Sequence, residues 1–198
     1  MARKKKTRLR IIPDQWLEPV DFKAYFPHPE RPLEVDVGSG KGRFLVARSG
    51  RCPDVNFLGI ERLLGRVNRS GRRCERAGRE NVRLLRMEGY YAVRYLMPAD
   101  YVAAYYIFFP DPWPKKRHRD HRLFNPPFLD AVHRSLEPGG KLHVATDHLP
   151  YFEEIAEILR SDDRFEEIPP FIPDEEEKTD FELLFAHKQI GRISVRKR

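Results

Sequence analysis

Apolar positions along the chain fall into short runs set apart by glycine and proline, and the runs alternate in period. Residues 33–37, 55–60, 82–86 and 105–109 are rich in Val, Ile, Leu, Phe and Tyr and suit buried strands. Residues 141–145 form another such run, and 190–197 alternate around Ile193 and Val195 as a last strand with a basic face. Between these runs the period lengthens to that of a helix: through Phe44, Leu45 and Val46, over 90–97, over 126–136 and over 151–160. After residue 61, Arg62, Arg66, Arg69, Arg73 and Arg76 line one helical stripe beside an apolar one holding Leu63, Val67 and Cys74. The 126–136 helix starts on proline and stops at Glu137-Pro138-Gly139-Gly140. Strands alternating with helices predict an α/β fold, a mostly parallel sheet covered on both faces.

Composition narrows the class. A chain of 198 residues with 40% hydrophobic content can bury one sizeable core. A net charge of +7 points to a polyanionic partner, nucleic acid or an anionic surface. No apolar run approaches a membrane span, and the basic stretch over residues 1–10 is followed by no hydrophobic segment, so a cytoplasmic protein is the expectation. That stretch carries six Lys or Arg and reads either as a disordered arm for phosphates or as a solubilising tail. Cys52 and Cys74 lack C-x-x-C spacing, and His118 and His121 lack further ligands nearby, so neither a disulfide framework nor a metal site is expected.

The candidate chemistry sits where strands are predicted to end. Asp36 lies in the strand Leu33 to Val37, which runs into Gly38-Ser39-Gly40-Lys41-Gly42, a strand, glycine turn and helix of the kind that cradles a nucleoside or phosphate. The spacing differs from G-x-G-x-x-G, and Lys41 is not followed by the Ser or Thr of a nucleotide P-loop. Glu61 ends the next strand and can accept two ribose hydroxyls, or else act as a helix N-terminal charge. Glu88 follows the third strand, as a ligand contact or a surface acid in a first helical turn. The arginine stripe is either a solvated face or an RNA-facing one.

The fourth strand delivers Asp111, pinned between Pro110 and Pro112 beside Trp113, where pairing must stop. Lys115, Lys116, Arg117, Arg119 and Arg122, with His118, Asp120 and His121, then form a loop suited to a phosphate backbone. Asp147 ends the next strand, so Asp111 and Asp147 should face one crevice, unless Asp147 caps the following helix. Residues 169–177 read as a linker whose Asp174, Glu175, Glu176 and Glu177 are solvated. Thr179, Asp180, Phe181 and Glu182 have the spacing of a capping box, which explains them without a ligand.

In order, D-x-G-x-G-x-G, F-L-G-I-E, F-F-P-D-P-W-x-K-x-R-H, A-T-D and T-x-F-E resemble the tRNA (guanine-N7)-methyltransferases over roughly residues 33–195. The resemblance implies a Rossmann-like class I methyltransferase, an open seven-stranded mostly parallel sheet whose last strand is antiparallel, with helices on both faces. It divides the chain into a basic N-terminal arm, residues 1–30, and a methyltransferase domain, residues 31–198. It implies S-adenosylmethionine as cofactor and tRNA as partner, without a membrane or an obligate protein partner, as a monomer or homodimer. By resemblance Asp36, Gly38, Gly40, Gly42, Glu61, Glu88 and Asp111 lie at cofactor positions, with Asp111 also catalytic. Lys115, Asp147 and Thr179 to Glu182 are implied to contact the substrate guanosine, and Lys116 to Arg122 the RNA. Asp36 and Glu88 stand where the family more often has Glu and Asp. An amino-group methyltransferase is the nearest rival, disfavoured because its acid precedes two adjacent prolines, whereas here Asp111 lies between them. A non-catalytic RNA-binding module on the same fold is the second.

Overall fold

A computed structural model describes residues 7–198; residues 1–6 of the expected arm lie outside the described residues. The strands are β1 (Arg10–Ile11), β2 (Leu33–Val37), β3 (Asn56–Ile60), β4 (Val82–Leu85), β5 (Val102–Phe108), β6 (Leu136–Thr146), β7 (Phe165–Ile168) and β8 (Gly191–Lys197). They form one sheet in the order β1-β4-β3-β2-β5-β6-β8-β7. Pairing is parallel from β1 to β6 and antiparallel on both sides of β8. The order reverses between β2 and β5: the chain winds outward through β3 and β4, then returns to β5 and winds the other way. In such a sheet the loops leaving the two central strands diverge and leave a crevice at their C-terminal ends.

The helices are α1 (Arg43–Arg51), α2 (Leu64–Arg76), the single turn α3 (Gly89–Tyr91), α4 (Pro126–Ser135), α5 (Leu149–Arg160) and the short α6 (Asp180–Leu184). α3 runs on into a π-helical turn, Ala92–Leu96. The central strands are apolar on both faces because helices cover both: all five residues of β3 are buried, as are Val35, Tyr105 and Ile107. Asn125 starts α4 by accepting from the Phe128 amide (3.0 Å), with proline at the first helical positions, where no amide partner is needed.

Several sequence expectations change. The sheet has an eighth strand, because Arg10 and Ile11 pair with Leu84 and Leu85. The described part of the expected arm is packed: Phe22 is fully buried, Phe26 and Val20 join the main core, and the Val20 amide donates to the Leu96 carbonyl at 2.8 Å. Burying such an aromatic contributes about 1.5–3 kcal/mol, enough to hold a segment with little regular structure. The acidic stretch before α6 is docked and not solvated throughout. Glu177 is 3% exposed and lies 3.3 Å from the Arg48 guanidinium, Asp174 pairs with Arg51, and Arg48 sits 5.2 Å above the Phe171 ring. Leu63, expected in the apolar stripe of α2, is 45% exposed; Val67 and Cys74 are buried as expected. No helix among the described residues is long and apolar enough to cross a membrane.

Candidate functional site

A cleft of about 670 Å³ opens at the C-terminal ends of β2, β3, β4 and β5. The start of the turn after β2 enters its lining through Val37 and Gly38, whereas Gly40 and Gly42 lie behind it. Gly38 (φ 84°), Gly40 (φ 55°) and Gly42 (φ 77°) all take left-handed backbone, which side chains rarely adopt. The amides of Gly38 and Ser39 both donate to the Ile60 carbonyl, at 2.9 and 3.0 Å, lashing the turn to β3. Gly42 also caps α1, and a Cβ there would lie 2.1 Å from Ser70 Oγ on α2, so this corner admits no larger residue. A Cβ on Gly38 would meet nothing within 4 Å: the surface above the turn is open to a ligand.

Three acids surround the turn. Asp36, on β2, is 5% exposed, and no hydrogen bond or ion pair reaches its carboxylate among the described residues. Burial first, and the Glu61 carboxylate second, push its pKa up to about 7. Glu61 is equally buried; its Oε1 accepts from the Leu63 amide at 2.8 Å and its Oε2 lies 3.7 Å from Arg66. Glu88 accepts from the Tyr90 and Tyr91 amides, each at 2.9 Å, and so caps α3 while also lining the cleft. A buried carboxylate without a donor beside a left-handed glycine turn fits a ligand bringing hydroxyl or cationic groups, and costs stability until one arrives.

Opposite the glycine turn, β5 ends in a contorted segment. Phe109 (φ 55°) and Trp113 (φ 40°) are left-handed although neither is glycine, a conformation costing on the order of 1–3 kcal/mol each. The Phe109 amide still donates to the Ala145 carbonyl at 2.7 Å, so the distortion begins where ladder pairing stops. It turns Asp111, exposed to solvent, into the cleft lining. α6 reaches the same wall: the Phe181 ring lies 4.7 Å from that of Phe109. The capping box of α6 forms, with the Thr179 amide donating to Glu182 Oε2 (2.8 Å) and the Glu182 amide to Thr179 Oγ1 (3.1 Å). Glu182 is buried and pairs with Arg192, and Asp180 lies 3.2 Å from Arg73. Of Thr179 to Glu182, all expected at the substrate, Thr179, Asp180 and Glu182 thus hold the helix that carries Phe181.

Asp147 does not join Asp111. It pairs with Lys188 and is absent from the cleft lining. Nor does it cap α5: His148 does, its Nδ1 accepting from the Tyr151 amide at 3.1 Å. The basic loop also divides. Lys115 and Arg117 are exposed, and His118 and His121 pack 5.8 and 5.1 Å from the Trp113 ring. Asp120 and His121 line the cleft. Arg122 is a correction to the expected phosphate contacts, being 7% exposed. Its Nε donates to the Pro112 carbonyl (2.8 Å), its guanidinium lies 4.7 Å from the centre of the Tyr151 ring, and it pairs with Glu154. Arg122 latches the Pro-Asp-Pro-Trp segment to α5. The side chains of Lys116 and Arg119 lie outside the described residues. Among the described residues no group of three or more His, Cys, Asp or Glu is disposed to hold a metal.

Sequence reasoning missed Leu63, expected in an apolar stripe, and Tyr90, expected only as part of a helical run; both are in the cleft lining. Their signal was position, two residues beyond Glu61 and Glu88.

A family model described as "Putative methyltransferase" matches residues 30–189. The chain is 39% identical over 141 residues to a tRNA (guanine-N(7)-)-methyltransferase of Nocardia farcinica, covering 71% of this chain and 52% of that one. It is 39% identical over 135 residues to a protein of the same name from Halorhodospira halophila, covering 68% and 58%. It therefore spans little more than half the length of these curated relatives. Among solved structures it resembles the 16S rRNA methyltransferase KamB, with a TM-score of 0.59, 13% identity, and coverage of 88% of this chain and 89% of that one. The antibiotic-resistance methyltransferase Kmr superposes with a TM-score of 0.56 at 22% identity, covering 88% of each chain. These likenesses concern the fold.

Proposed function

Since the chain belongs to the methyltransferase family whose model it matches over residues 30–189, we propose that it methylates N7 of a guanine in tRNA, using S-adenosylmethionine. The relatives bearing that activity in their names support the substrate. The observation that carries the reading is that one cleft at the sheet's switch point gathers Gly38 of the left-handed glycine turn, Glu61 and Asp111, with the unpartnered Asp36 buried behind the lining two residues before Gly38. Bound S-adenosylmethionine supplies an electrophilic methyl group. The Gly38 to Gly42 turn, Asp36 and Glu61 hold that cofactor, Glu61 through ribose hydroxyls. Glu88, its oxygens already taken by backbone amides, bounds the pocket with Tyr90 and Leu63.

Guanine N7 carries a free lone pair, so the chain needs no general base. Its tasks are alignment and charge. Asp111, fixed by the left-handed bends on either side of it, places a carboxylate beside the purine, where positive charge develops during transfer. Phe109 and Phe181 offer an aromatic wall to the base. Lys115 and Arg117 meet phosphates, which fix position without reading sequence. Arg122, and the Thr179, Asp180 and Glu182 contacts, keep the Asp111 and Phe181 segments in place.

Incubating the protein with unmodified tRNA and labelled S-adenosylmethionine, then digesting to nucleosides, should yield 7-methylguanosine. Label on an exocyclic amino group, or cofactor binding without transfer, would overturn the reading. Glu61→Ala should weaken cofactor affinity by about one to two decades, from the loss of a charge-assisted hydrogen bond of roughly 1.5–3 kcal/mol. An unchanged calorimetric dissociation constant removes Glu61 from the site.

A further inference from the structure

The arginines of α1 and α2 form one cationic field, and the structure splits it in two. Along α1 and one end of the field, the segment leading into α6 is laid down as an acidic strap. Asp174 pairs with Arg51, Glu177 with Arg48 (3.3 Å), the Lys178 carbonyl accepts from Arg43 Nε (2.8 Å), and Asp180 takes Arg73 (3.2 Å). The remaining arginines have no such cover. α2 carries five arginines and one acid, Glu75, and that acid is already engaged by the Thr7 hydroxyl and the Arg8 amide at 2.8 Å each. Among the described residues no side-chain partner meets Arg62, Arg69 or Arg72, and Arg76 makes one bond, to the Arg72 carbonyl.

Geometry makes these cations a track. Val67, Ser70, Gly71 and Cys74 are the buried residues of α2, which turns the Arg66, Arg69 and Arg76 positions outward, and Arg62 is exposed just before the helix. From Arg66, which lines the cleft, to Arg76 is ten residues, about 15 Å of helix. At the far end lies a shallow groove of about 520 Å³ between α1 and α2, rimmed by Arg43, Arg73 and Arg76 with Glu176 beside them. α2 follows β3 and the basic loop follows β5, with β2 between them. The cleft-lining end of the arginine face, at Arg66, and the basic loop therefore lie on opposite sides of β2, their parent strands about 10 Å apart, and the rest of the face leads away from the cleft.

We propose that the arginine face of α2 is a second docking surface for the sugar-phosphate backbone of the RNA, across the cleft from the Lys115 and Arg117 loop. This rests on the reading that the substrate is tRNA. A polyanion seated on both surfaces straddles the cleft, which a single basic loop at one rim does not enforce. An anionic membrane fits less well, because the outward face of α2 carries arginine without the apolar stripe that would insert into lipid.

The test is the triple variant Arg69→Gln, Arg72→Gln, Arg76→Gln in the full chain. Glutamine keeps helix propensity close to that of arginine, and none of the three touches the cleft lining. Binding to tRNA is measured against salt, alongside the Lys115→Gln, Arg117→Gln variant and the two sets combined. The slope of log affinity against log salt should fall by about 0.7–0.9 for each phosphate that the variant no longer neutralises, so by roughly two for the triple variant, and the two sets should add. KM for tRNA should rise about tenfold, with kcat and the S-adenosylmethionine dissociation constant within about twofold of the parent. An unchanged slope and KM would overturn the proposal, as would a variant that loses binding to phosphatidylserine vesicles while keeping its affinity for RNA. Should the parent bind tRNA but methylate none of its guanines, the activity fails while a lowered slope still upholds the surface.

Discussion

Asp111→Asn is expected to slow methyl transfer by roughly 100- to 1,000-fold in single-turnover measurements at saturating tRNA and cofactor, the usual effect of removing one preorganised electrostatic interaction. Asp111 is exposed, so it supports no packing, and asparagine keeps its size and tolerance of turns. The melting temperature should therefore barely move. The bends that aim the residue lie at Phe109 and Trp113, and the latch that holds them is Arg122; none of these is altered. What the variant lacks is the negative charge facing a purine that becomes cationic. A near-normal single-turnover rate would reduce Asp111 to a residue of a proline-flanked turn. Asp147 would then be a poor substitute, because Lys188 already neutralises it outside the cleft.

Asp36→Asn is expected to stabilise the ligand-free protein, and increasingly so as pH rises. The folded-state pKa of Asp36, about 7, lies above the ordinary 3.8 because its carboxyl is buried beside Glu61. Below about pH 4 the group is protonated folded and unfolded, and costs nothing. Between about pH 4 and 7 the unfolded chain releases the proton while the folded chain retains it, so stability falls with rising pH. Above about 7 the full penalty stands, at most about 4 kcal/mol for a shift of roughly three units. Asparagine removes the titration, so the gap in melting temperature between variant and parent should widen from pH 5 to pH 8. For a chain of this size it should reach roughly 5–15 °C. A gap that stays constant with pH would show that Asp36 is ionised throughout and does not carry this penalty. The parent's unmet carboxylate also gives the cofactor something to satisfy, so the same substitution should weaken S-adenosylmethionine binding while stabilising the fold.

The sequence by itself determined the parts that depend on near neighbours. Runs such as Tyr105 to Phe109 need burial on both faces wherever they go, so they read as central strands. Three glycines at alternate positions announce a left-handed turn, and prolines on either side of Asp111 end a ladder. From these follow the alternation of strands and helices, the positions of Asp36, Glu61, Glu88 and Asp111 at strand ends, and thus most of the cleft. The tertiary structure decided which charges are free. Arg122 looks identical to Arg117 in a basic run, yet Tyr151 and Glu154, about thirty residues away, take it into the interior. Glu177 looks solvated within an acidic stretch until Arg48, 129 positions earlier in the chain, removes it from water. Asp147 loses its place in the crevice to Lys188, 41 residues on. Phe22 lies in a segment with little periodicity, and its burial depends on a core assembled from β-strands far along the chain. Local periodicity encodes which residues are apolar and which way the backbone must turn. Whether a charge meets water, a counter-ion or a ligand is set by partners that only the folded chain brings near, and here that choice separates the residues that build the cleft from those left to bind.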